Sequence, residues 1–262
     1  MAMQQTIPII LDGTRHVSAD LDQLIDQGHI CAVDKINDDL SNTPYLHYIE
    51  DALTLHWPSA SQPLSLSIDF VAGKSKHRRL YGGGKKQPLA KACGLEKHPT
   101  WRVFDATAGL GKDSFVLASL GASITLCEQH AALFALLVDA RDRGLEDDVT
   151  APILKRMSFI HAHSGSYLES VYSEQRPCPD VIYLDPMYPE RKKAAKIKKE
   201  MQVLQQLVGH QDDTASLFEV AIKTAVHRVV VKRPKSAQLL TALSPSYTVA
   251  SVNTRYDVYV VN

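Results

Sequence analysis

Strand-like and helical patterns alternate along the chain from residue 100 onward. Five apolar runs have the length and composition of buried strands, namely VFDAT (103–107), SITLCE (123–128), SFIHA (158–162), DVIYLD (180–185) and RVVVKR (228–233). Helical stretches are expected over 112–120, 130–143, 191–208 and 214–225. This alternation is typical of a parallel sheet that is covered by helices.

The last two apolar runs of the chain, at 247–252 and 255–261, are separated by only two residues. So short a connection predicts an antiparallel hairpin. A Rossmann-like, mostly parallel α/β sheet that ends in an antiparallel hairpin strand differs from the layout of dinucleotide-binding dehydrogenases. We therefore predict the class I methyltransferase fold for residues 100–262.

The first seventy residues have a different pattern. Short apolar or alternating runs are separated by Asp, Asn, Gly and Pro, and they lie at 7–11, 29–33, 53–57 and 64–70. This pattern predicts a small α+β domain over residues 1–72. Residues 73–99 combine basic charge with three consecutive glycines at 82–84, which predicts a linker or a substrate clamp.

The composition is that of a folded protein. The 262 residues are 45% hydrophobic and 22% charged, which is enough apolar surface for a buried core and excludes a wholly disordered chain. The sequence has no apolar run of membrane-spanning length and no signal-peptide pattern at its start, so we expect a soluble, cytoplasmic protein. The four cysteines form no CxxC pair, and we expect neither disulfides nor a bound metal.

The formal net charge of zero hides a segregation of charge along the chain. Residues 1–70 contain ten acidic and two basic side chains, a balance of −8, so the rest of the chain carries +8. Positive charge clusters in four segments, at 74–79, 85–86, 191–199 and 232–235. Any single cluster is better explained as solvated surface charge, but four of them predict a face that binds nucleic-acid phosphates.

A glycine-rich turn follows the first strand of the parallel sheet in VFDATAGLGKDSF (103–115). The strand ends at Asp105, and Gly109 and Gly111 allow a ligand to approach the backbone closely at the start of a helix. Glu128 ends the next strand, nineteen residues after Gly109, where a carboxylate can accept both hydroxyls of a ribose. These motifs predict a nucleoside-bearing cofactor, without distinguishing S-adenosylmethionine from NAD.

The segment DVIYLDPMYP (180–189) places an acid, a proline and an aromatic residue at the end of the fourth strand. It resembles the D/N/S-P-P-Y/F motif of methyltransferases that act on amino groups, with Met187 in place of the second proline. A conjugated amine is a poor nucleophile until acceptors hold its N–H groups, as the carboxylate of Asp185 and the carbonyl of Pro186 can. The ring of Tyr188 offers a surface on which a flipped base can stack. We therefore predict S-adenosylmethionine as the cofactor, and these three residues as catalytic.

Four motifs together are similar to those of one family. They are DATAGLGKD (105–113), HRRLYGGG (77–84), YLDPMYP (183–189) followed by KKEM (198–201), and VVVKRP (229–234). From about residue 70 to its end, the chain resembles the bacterial ribosomal RNA small subunit methyltransferase J family. The resemblance implies an enzyme that transfers a methyl group from S-adenosylmethionine to the N2 amine of a guanosine, with 16S rRNA or the small ribosomal subunit as its partner.

The resemblance also implies which residues contact the cofactor. Besides Asp105 and Gly109 in the glycine-rich turn, these contacts fall on Lys112, Asp113, Glu128, Gln129, His163, Ser164 and Asp185. His163 departs from the family, in which a small residue is expected at that position. With RNA as the substrate, basic residues would contact its phosphates, and the candidates are Arg78, Arg79, Lys192, Lys193, Lys232 and Arg233.

The residues themselves leave two alternatives open. An amino-methyltransferase that acts on DNA adenine or on a protein glutamine would use the same D-P-x-Y chemistry, and only the family resemblance selects guanine N2. A non-catalytic RNA-binding module could also retain the methyltransferase fold, although such a module has no need of Asp185, Pro186 and Tyr188.

Overall fold

A computed structural model describes most of the chain in two β-sheets with surrounding helices. The described residues are 6–11, 17–35, 42–58, 63–72, 83–186, 203–204, 207 and 214–261. The smaller sheet contains β1 (Ile7–Ile10), β2 (Ile30–Val33), β3 (Tyr45–Ile49), β4 (Ala52–Trp57) and β5 (Leu64–Leu66), with helix α1 (Ala19–Asp26) between β1 and β2. Its strand order is β2-β1-β3-β4-β5.

The inner face of the smaller sheet is a row of buried aliphatic side chains. Strand β1 pairs in parallel with β2 and β3, and the β3–β4 and β4–β5 pairs are antiparallel. The register aligns Ile9, Leu46, Leu55 and Leu66 across four strands, and all four are buried. Because side chains alternate between the two faces of a strand, this row directs one face of the sheet toward the core.

The larger sheet has seven strands in the order β11-β12-β10-β9-β6-β7-β8. They are β6 (Arg102–Asp105), β7 (Ser123–Glu128), β8 (Met157–His161), β9 (Val181–Leu184), β10 (Arg228–Pro234), β11 (Tyr247–Ala250) and β12 (Thr254–Val260). Strands β6 to β10 pair in parallel, whereas β12 runs antiparallel to both β10 and β11. This arrangement confirms the predicted fold, including its C-terminal hairpin.

The helices around the larger sheet are partly those expected from the sequence. They are α2 (Pro88–Ala92), α3 (Lys112–Ser119), α4 (Ala131–Leu145), α5 (Ala151–Leu154), α6 (Ser164–Ser173) and α7 (Thr214–Thr224). The helix expected over 191–208 lies outside the described residues apart from 203–204 and 207. Helix α6 was not predicted, because its many Ser and Tyr residues weaken the helical pattern. Within the described ranges, no helix is long and apolar enough to cross a membrane.

Helix α2 lies inside the 73–99 segment that we expected to be a linker or clamp. Its residues Leu89 and Ala90, and Leu95 just after it, are fully buried. The helix packs against β11 and β12, so this part of the segment covers the C-terminal hairpin. The basic, glycine-rich pattern at 73–86 concealed the short apolar stretch that follows it.

Helix α4 joins the two sheets through one buried carboxylate. Asp139 accepts hydrogen bonds from the backbone N–H of Leu53 in β4 at 3.1 Å and from Arg143 Nε at 2.9 Å. Arg143 in turn donates to the carbonyl of Ile68. Aliphatic residues of both sheets belong to one continuous core. The small N-terminal unit is therefore packed directly on the helix that follows β7.

We expect Asp139→Asn to lower the free energy of unfolding by about 2–3 kcal/mol, because hydrogen bonds that involve charged groups contribute this much when buried. The matched control is Asp142→Asn on the same helix. The Asp142 side chain is 38% exposed and pairs with Arg141 at 2.7 Å, so loss of its charge should cost no more than about 1 kcal/mol. Chemical unfolding measures both values, and equal losses would contradict the anchoring role of Asp139.

Candidate active site

The candidate active site lies at the edge of the larger sheet where its parallel strands end. Asp105 ends β6, Glu128 ends β7 and Asp185 follows β9. Lys232 lies near the end of β10, which is paired with β9. Because the carboxyl ends of parallel strands meet at one edge, residues 127 positions apart in the sequence converge here.

Asp105 is a buried carboxylate that fixes the glycine-rich turn. It is 2% exposed, and it accepts hydrogen bonds from the backbone N–H of Thr107 at 3.1 Å and from Ser114 Oγ at 2.6 Å. Burial raises the pKa of Asp105 to about 7, although the two hydrogen bonds lower it. Asp105 therefore connects the start of the turn with helix α3, which follows the turn.

Thr107 connects this turn to the acid of the D-P-M-Y motif. The backbone N–H of Asp185 donates to Thr107 Oγ1 at 2.6 Å. The Asp185 side chain is 39% exposed, whereas Pro186 beside it is buried. The turn after β6 thus holds the main chain at Asp185, whose side chain remains partly exposed.

Glu128 is tied to the same turn from the neighbouring strand. Its carboxylate accepts from the backbone N–H of Gly109 at 3.0 Å and of His130 at 2.8 Å. Burial raises the pKa of Glu128 to about 7, against the lowering effect of these hydrogen bonds. The carboxylate is therefore in position for a ligand that lies over the Gly109 backbone.

The two glycines of the turn have different surroundings. Both have positive φ angles, 53° at Gly109 and 65° at Gly111. A Cβ at Gly111 would lie 2.9 Å from Leu137 Cδ2 and 3.2 Å from Phe70 Cζ. A Cβ at Gly109 would meet the Thr107 carbonyl at 3.8 Å and, among the described residues, otherwise open space. Gly111 is thus required by core packing, and Gly109 leaves room at the edge of the sheet.

A lysine pairs with two acids at the same edge. Lys232 Nζ lies 2.7 Å from Asp185 Oδ2 and 3.0 Å from Asp113 Oδ2. The hydroxyl of Tyr183 also donates to Asp113 Oδ2, at 2.5 Å. Burial lowers the pKa of Lys232, but the charges of Asp113 and Asp185 outweigh this effect and raise it above its usual value. The ammonium group therefore stays charged.

The remaining predicted cofactor residues lie around this edge. Ser164 Oγ donates to the carbonyl of Ala106 at 2.7 Å, which holds the start of α6 against the glycine-rich turn. His163 is exposed, and its Nδ1 accepts from the backbone N–H of Ser166 as the cap of α6. Gln129 follows Glu128 with a partly buried side chain, and Lys112 occupies the first position of α3.

The predicted RNA contacts are only partly described by the structure. Arg78, Arg79, Lys192 and Lys193, as well as the catalytic candidate Tyr188, lie outside the described residues. Arg233 is 2% exposed, and its guanidinium donates to the carbonyl of Gln238. Lys232 and Arg233 are adjacent on β10 and point to opposite faces. The structure therefore does not support the RNA contact that was predicted for Arg233.

Thr107 and Tyr183 are site residues that the sequence reasoning missed. Thr107 follows the strand-ending Asp105 by two residues, and Tyr183 precedes Asp185 by two. That spacing places side chains on the same side of an extended chain, which was the available signal for Tyr183. The hydrogen-bond partners of both hydroxyls are more than 65 residues away in the sequence, so no local pattern could identify those partners.

The fold and this edge define a class I methyltransferase. A family model described as "Putative SAM-dependent methyltransferase" matches residues 29–261. A SAM-dependent methyltransferase from Neisseria gonorrhoeae has a similar crystal structure, with a TM-score of 0.73 and 34% sequence identity. The similarity covers 97% of this chain and 96% of that chain.

Relatives with assigned names narrow the class to one family. The ribosomal RNA small subunit methyltransferase J of Hydrogenovibrio crunogenus is 48% identical over 209 residues, covering 78% of this chain and 72% of the relative. The protein of the same name from Saccharophagus degradans is 45% identical and covers 76% of this chain and 77% of the relative. The chain belongs to the ribosomal RNA small subunit methyltransferase J family.

The donor set at the edge fits S-adenosylmethionine, which carries ribose hydroxyls, an ammonium group and a sulfonium. Glu128 would accept from the ribose, and the space above Gly109 would receive the part of the ligand nearest the backbone. The pKa values of about 7 at Asp105 and Glu128 arise from burial, so a cationic ligand would favour their ionised forms. Among the described residues, no group of three or more His, Cys, Asp or Glu side chains could hold a metal ion.

Substitution of the two turn glycines should separate packing from cofactor binding. We expect Gly111→Ala to cost about 2–4 kcal/mol of stability, from the positive φ and from contact with Leu137 and Phe70. Gly109→Ala should cost about 1–2 kcal/mol but weaken S-adenosylmethionine binding by about tenfold or more. Unfolding and titration calorimetry check both effects. Unchanged cofactor affinity in Gly109→Ala would contradict the position assigned to the ligand.

The pH dependence of cofactor affinity follows from the two raised pKa values. Ligand hydroxyls and positive charge favour ionised Glu128 and Asp105, so S-adenosylmethionine should bind about tenfold more tightly at pH 8 than at pH 6. Glu128→Gln should weaken binding and reduce this dependence. Calorimetry in two buffers measures the affinity and the accompanying proton release, and a pH-independent affinity in the unmodified protein would refute the assignment.

Proposed function

We propose that this chain is a cytoplasmic enzyme that methylates the exocyclic N2 amine of a guanosine in 16S rRNA of the small ribosomal subunit. The position of Asp185 carries the proposal. Its side chain is 39% exposed, while its backbone N–H is bonded to Thr107 in the glycine-rich turn. An acceptor for an amine is thereby fixed beside the turn where the methyl donor would bind.

The choice of RNA rests on the family. The two relatives described above are named as methyltransferases of small-subunit ribosomal RNA, and the similarity covers the sheet edge with its glycine-rich turn and D-P-M-Y motif. The choice of an amino group rests on the chemistry of the D-P-M-Y motif, and the choice of guanine N2 rests on the resemblance to the J family alone. Phosphate contacts at Arg78, Arg79, Lys192 and Lys193 remain part of the proposal, from the sequence alone.

The reaction needs an oriented amine more than a strong base. S-adenosylmethionine, when bound, supplies a methyl carbon that its sulfonium makes electrophilic. Asp185 and the Pro186 carbonyl would accept the N–H bonds of the amine and direct its nitrogen toward that carbon. In the transfer, the nitrogen–carbon bond would form as the carbon–sulfur bond of the donor breaks, and the methylated nitrogen would then release a proton to water. In the same proposal, Tyr188 stacks on the flipped base.

The proposal is tested by incubating the purified protein with methyl-labelled S-adenosylmethionine and small ribosomal subunits that lack base methylation. Nucleoside analysis should recover the label in N2-methylguanosine. Naked 16S rRNA, DNA and ribosomal proteins are assayed in parallel. Label in DNA or in protein alone, or no label despite measured cofactor binding, would overturn the proposal.

We expect Asp185→Ala to lower turnover by about 100-fold to 1000-fold, because a positioned acceptor in a catalytic site contributes this much. The exposed side chain should make the cost in stability small. Asp180→Asn is the matched control, since Asp180 lies at the opposite end of the same strand and accepts from Arg102. It should leave turnover unchanged. Single-turnover rates at saturating cofactor measure both variants, and full activity in Asp185→Ala would exclude the assigned role.

A further inference from the structure

We propose that Lys232 is a positioning residue for methyl transfer, which holds the Asp185 carboxylate in the orientation that accepts the substrate amine. The inference deepens the proposed function and rests on it. It replaces the phosphate contact that the sequence predicted for this lysine. Lys232 belongs to β10, Asp185 follows β9 and Asp113 lies in α3, so one ammonium group connects three elements at the edge of the sheet.

The geometry leaves Asp185 able to bind a substrate while it is paired. Lys232 Nζ donates to Asp185 Oδ2 at 2.7 Å and to Asp113 Oδ2 at 3.0 Å. A carboxylate offers about four acceptor positions on its two oxygens. Asp185 can therefore accept from an amine as well as from Lys232, and the ion pair fixes the rotation of the carboxylate about its side-chain bonds.

The ion pairs of Lys232 are partly buried. The Lys232 side chain is 24% exposed and that of Asp113 is 10% exposed, so solvent screens the charges only in part. Tyr183 holds Asp113 from the other side through its hydroxyl. Burial and, to a smaller extent, the charge of Asp113 raise the pKa of Tyr183 well above its usual value. The Tyr183 hydroxyl therefore keeps its proton and remains a donor.

A phosphate contact for Lys232 is disfavoured by the same charges. Two carboxylates lie within 3.0 Å of the ammonium group, and a phosphate that approached it would also meet the negative charge of Asp185. Among the described residues, the other titratable groups that face or act on this cluster include Asp105 from β6, the buried thiol of Cys93 after α2, and Tyr256, which is opposite Lys232 on β12. None of these three groups is a cation.

The first experiment compares Lys232→Met, Lys232→Arg and the control Lys223→Met in the complete chain, since Lys223 is an exposed residue of α7 outside the four basic clusters. Methyl transfer to small subunits is measured at saturating S-adenosylmethionine, with turnover and the KM for RNA determined separately. We expect Lys232→Met to lower turnover about 100-fold with little change in KM, and Lys232→Arg to recover part of the loss. Lys223→Met should keep turnover. A raised KM at unchanged turnover would show a phosphate contact instead and overturn the proposal.

The pH profile of turnover is a second measurement, because a purely structural role for Lys232 would leave this profile unchanged. Without the ammonium group, ionised Asp185 loses its stabilising charge, so the acidic limb of the turnover profile should move to higher pH in Lys232→Met. Lys232→Arg should retain the unmodified profile. A reduced rate with an unshifted acidic limb would contradict an action through Asp185.

A double variant separates positioning from folding. In Lys232→Met, the largely buried carboxylate of Asp113 loses its cationic partner, and an unpaired buried charge can prevent folding. Adding Asp113→Asn removes the negative charge of Asp113. We expect the double variant to regain thermal stability but to stay about 100-fold slower than Asp113→Asn alone. Turnover equal to that of Asp113→Asn would show that Lys232 only neutralises Asp113. An inactive unmodified protein would instead refute the proposed function, so the two failures are distinguishable.

Discussion

The hydrogen bonds around the buried carboxylate of Asp105 set the geometry of the entire edge. Asp105 holds Thr107 and Ser114, and Thr107 in turn accepts from the backbone of Asp185. Through these contacts the turn after β6, the start of α3 and the segment after β9 have fixed relative positions. A carboxylate that is costly to bury is retained here because each of its hydrogen bonds connects a different part of the site.

The N-terminal unit is linked to the same edge through helix α4. Glu128, which holds the Gly109 backbone, lies at the end of the strand that precedes α4. One residue past the middle of that helix, Asp139 accepts from β4 of the smaller sheet. The two sheets also share a continuous aliphatic core. The smaller sheet therefore supports the helix on which the position of Glu128 depends.

The sequence predicted the parts of the site that follow from local patterns. Asp105, Glu128 and Asp185 each lie at the end of a predicted strand, and Gly109 lies in the turn after the first of these strands. The order of strands and helices determined which strand ends would meet. The role of Lys232 could not be predicted, because its partners are 47 and 119 residues away. The alternation of side chains along a strand could have separated Lys232 from Arg233, since neighbouring residues on β10 face opposite sides.

The proposed reaction depends most directly on where the target amine binds. A crystal structure of the protein with S-adenosylhomocysteine and a guanosine-containing RNA fragment would locate it. We expect the N2 atom of guanosine within about 2.7–3.2 Å of the Asp185 carboxylate, with Lys232 still bound to that carboxylate and the sulfur facing the same nitrogen. An amine held by other groups, or a base bound away from the edge formed by β6, β9 and β10, would contradict the account.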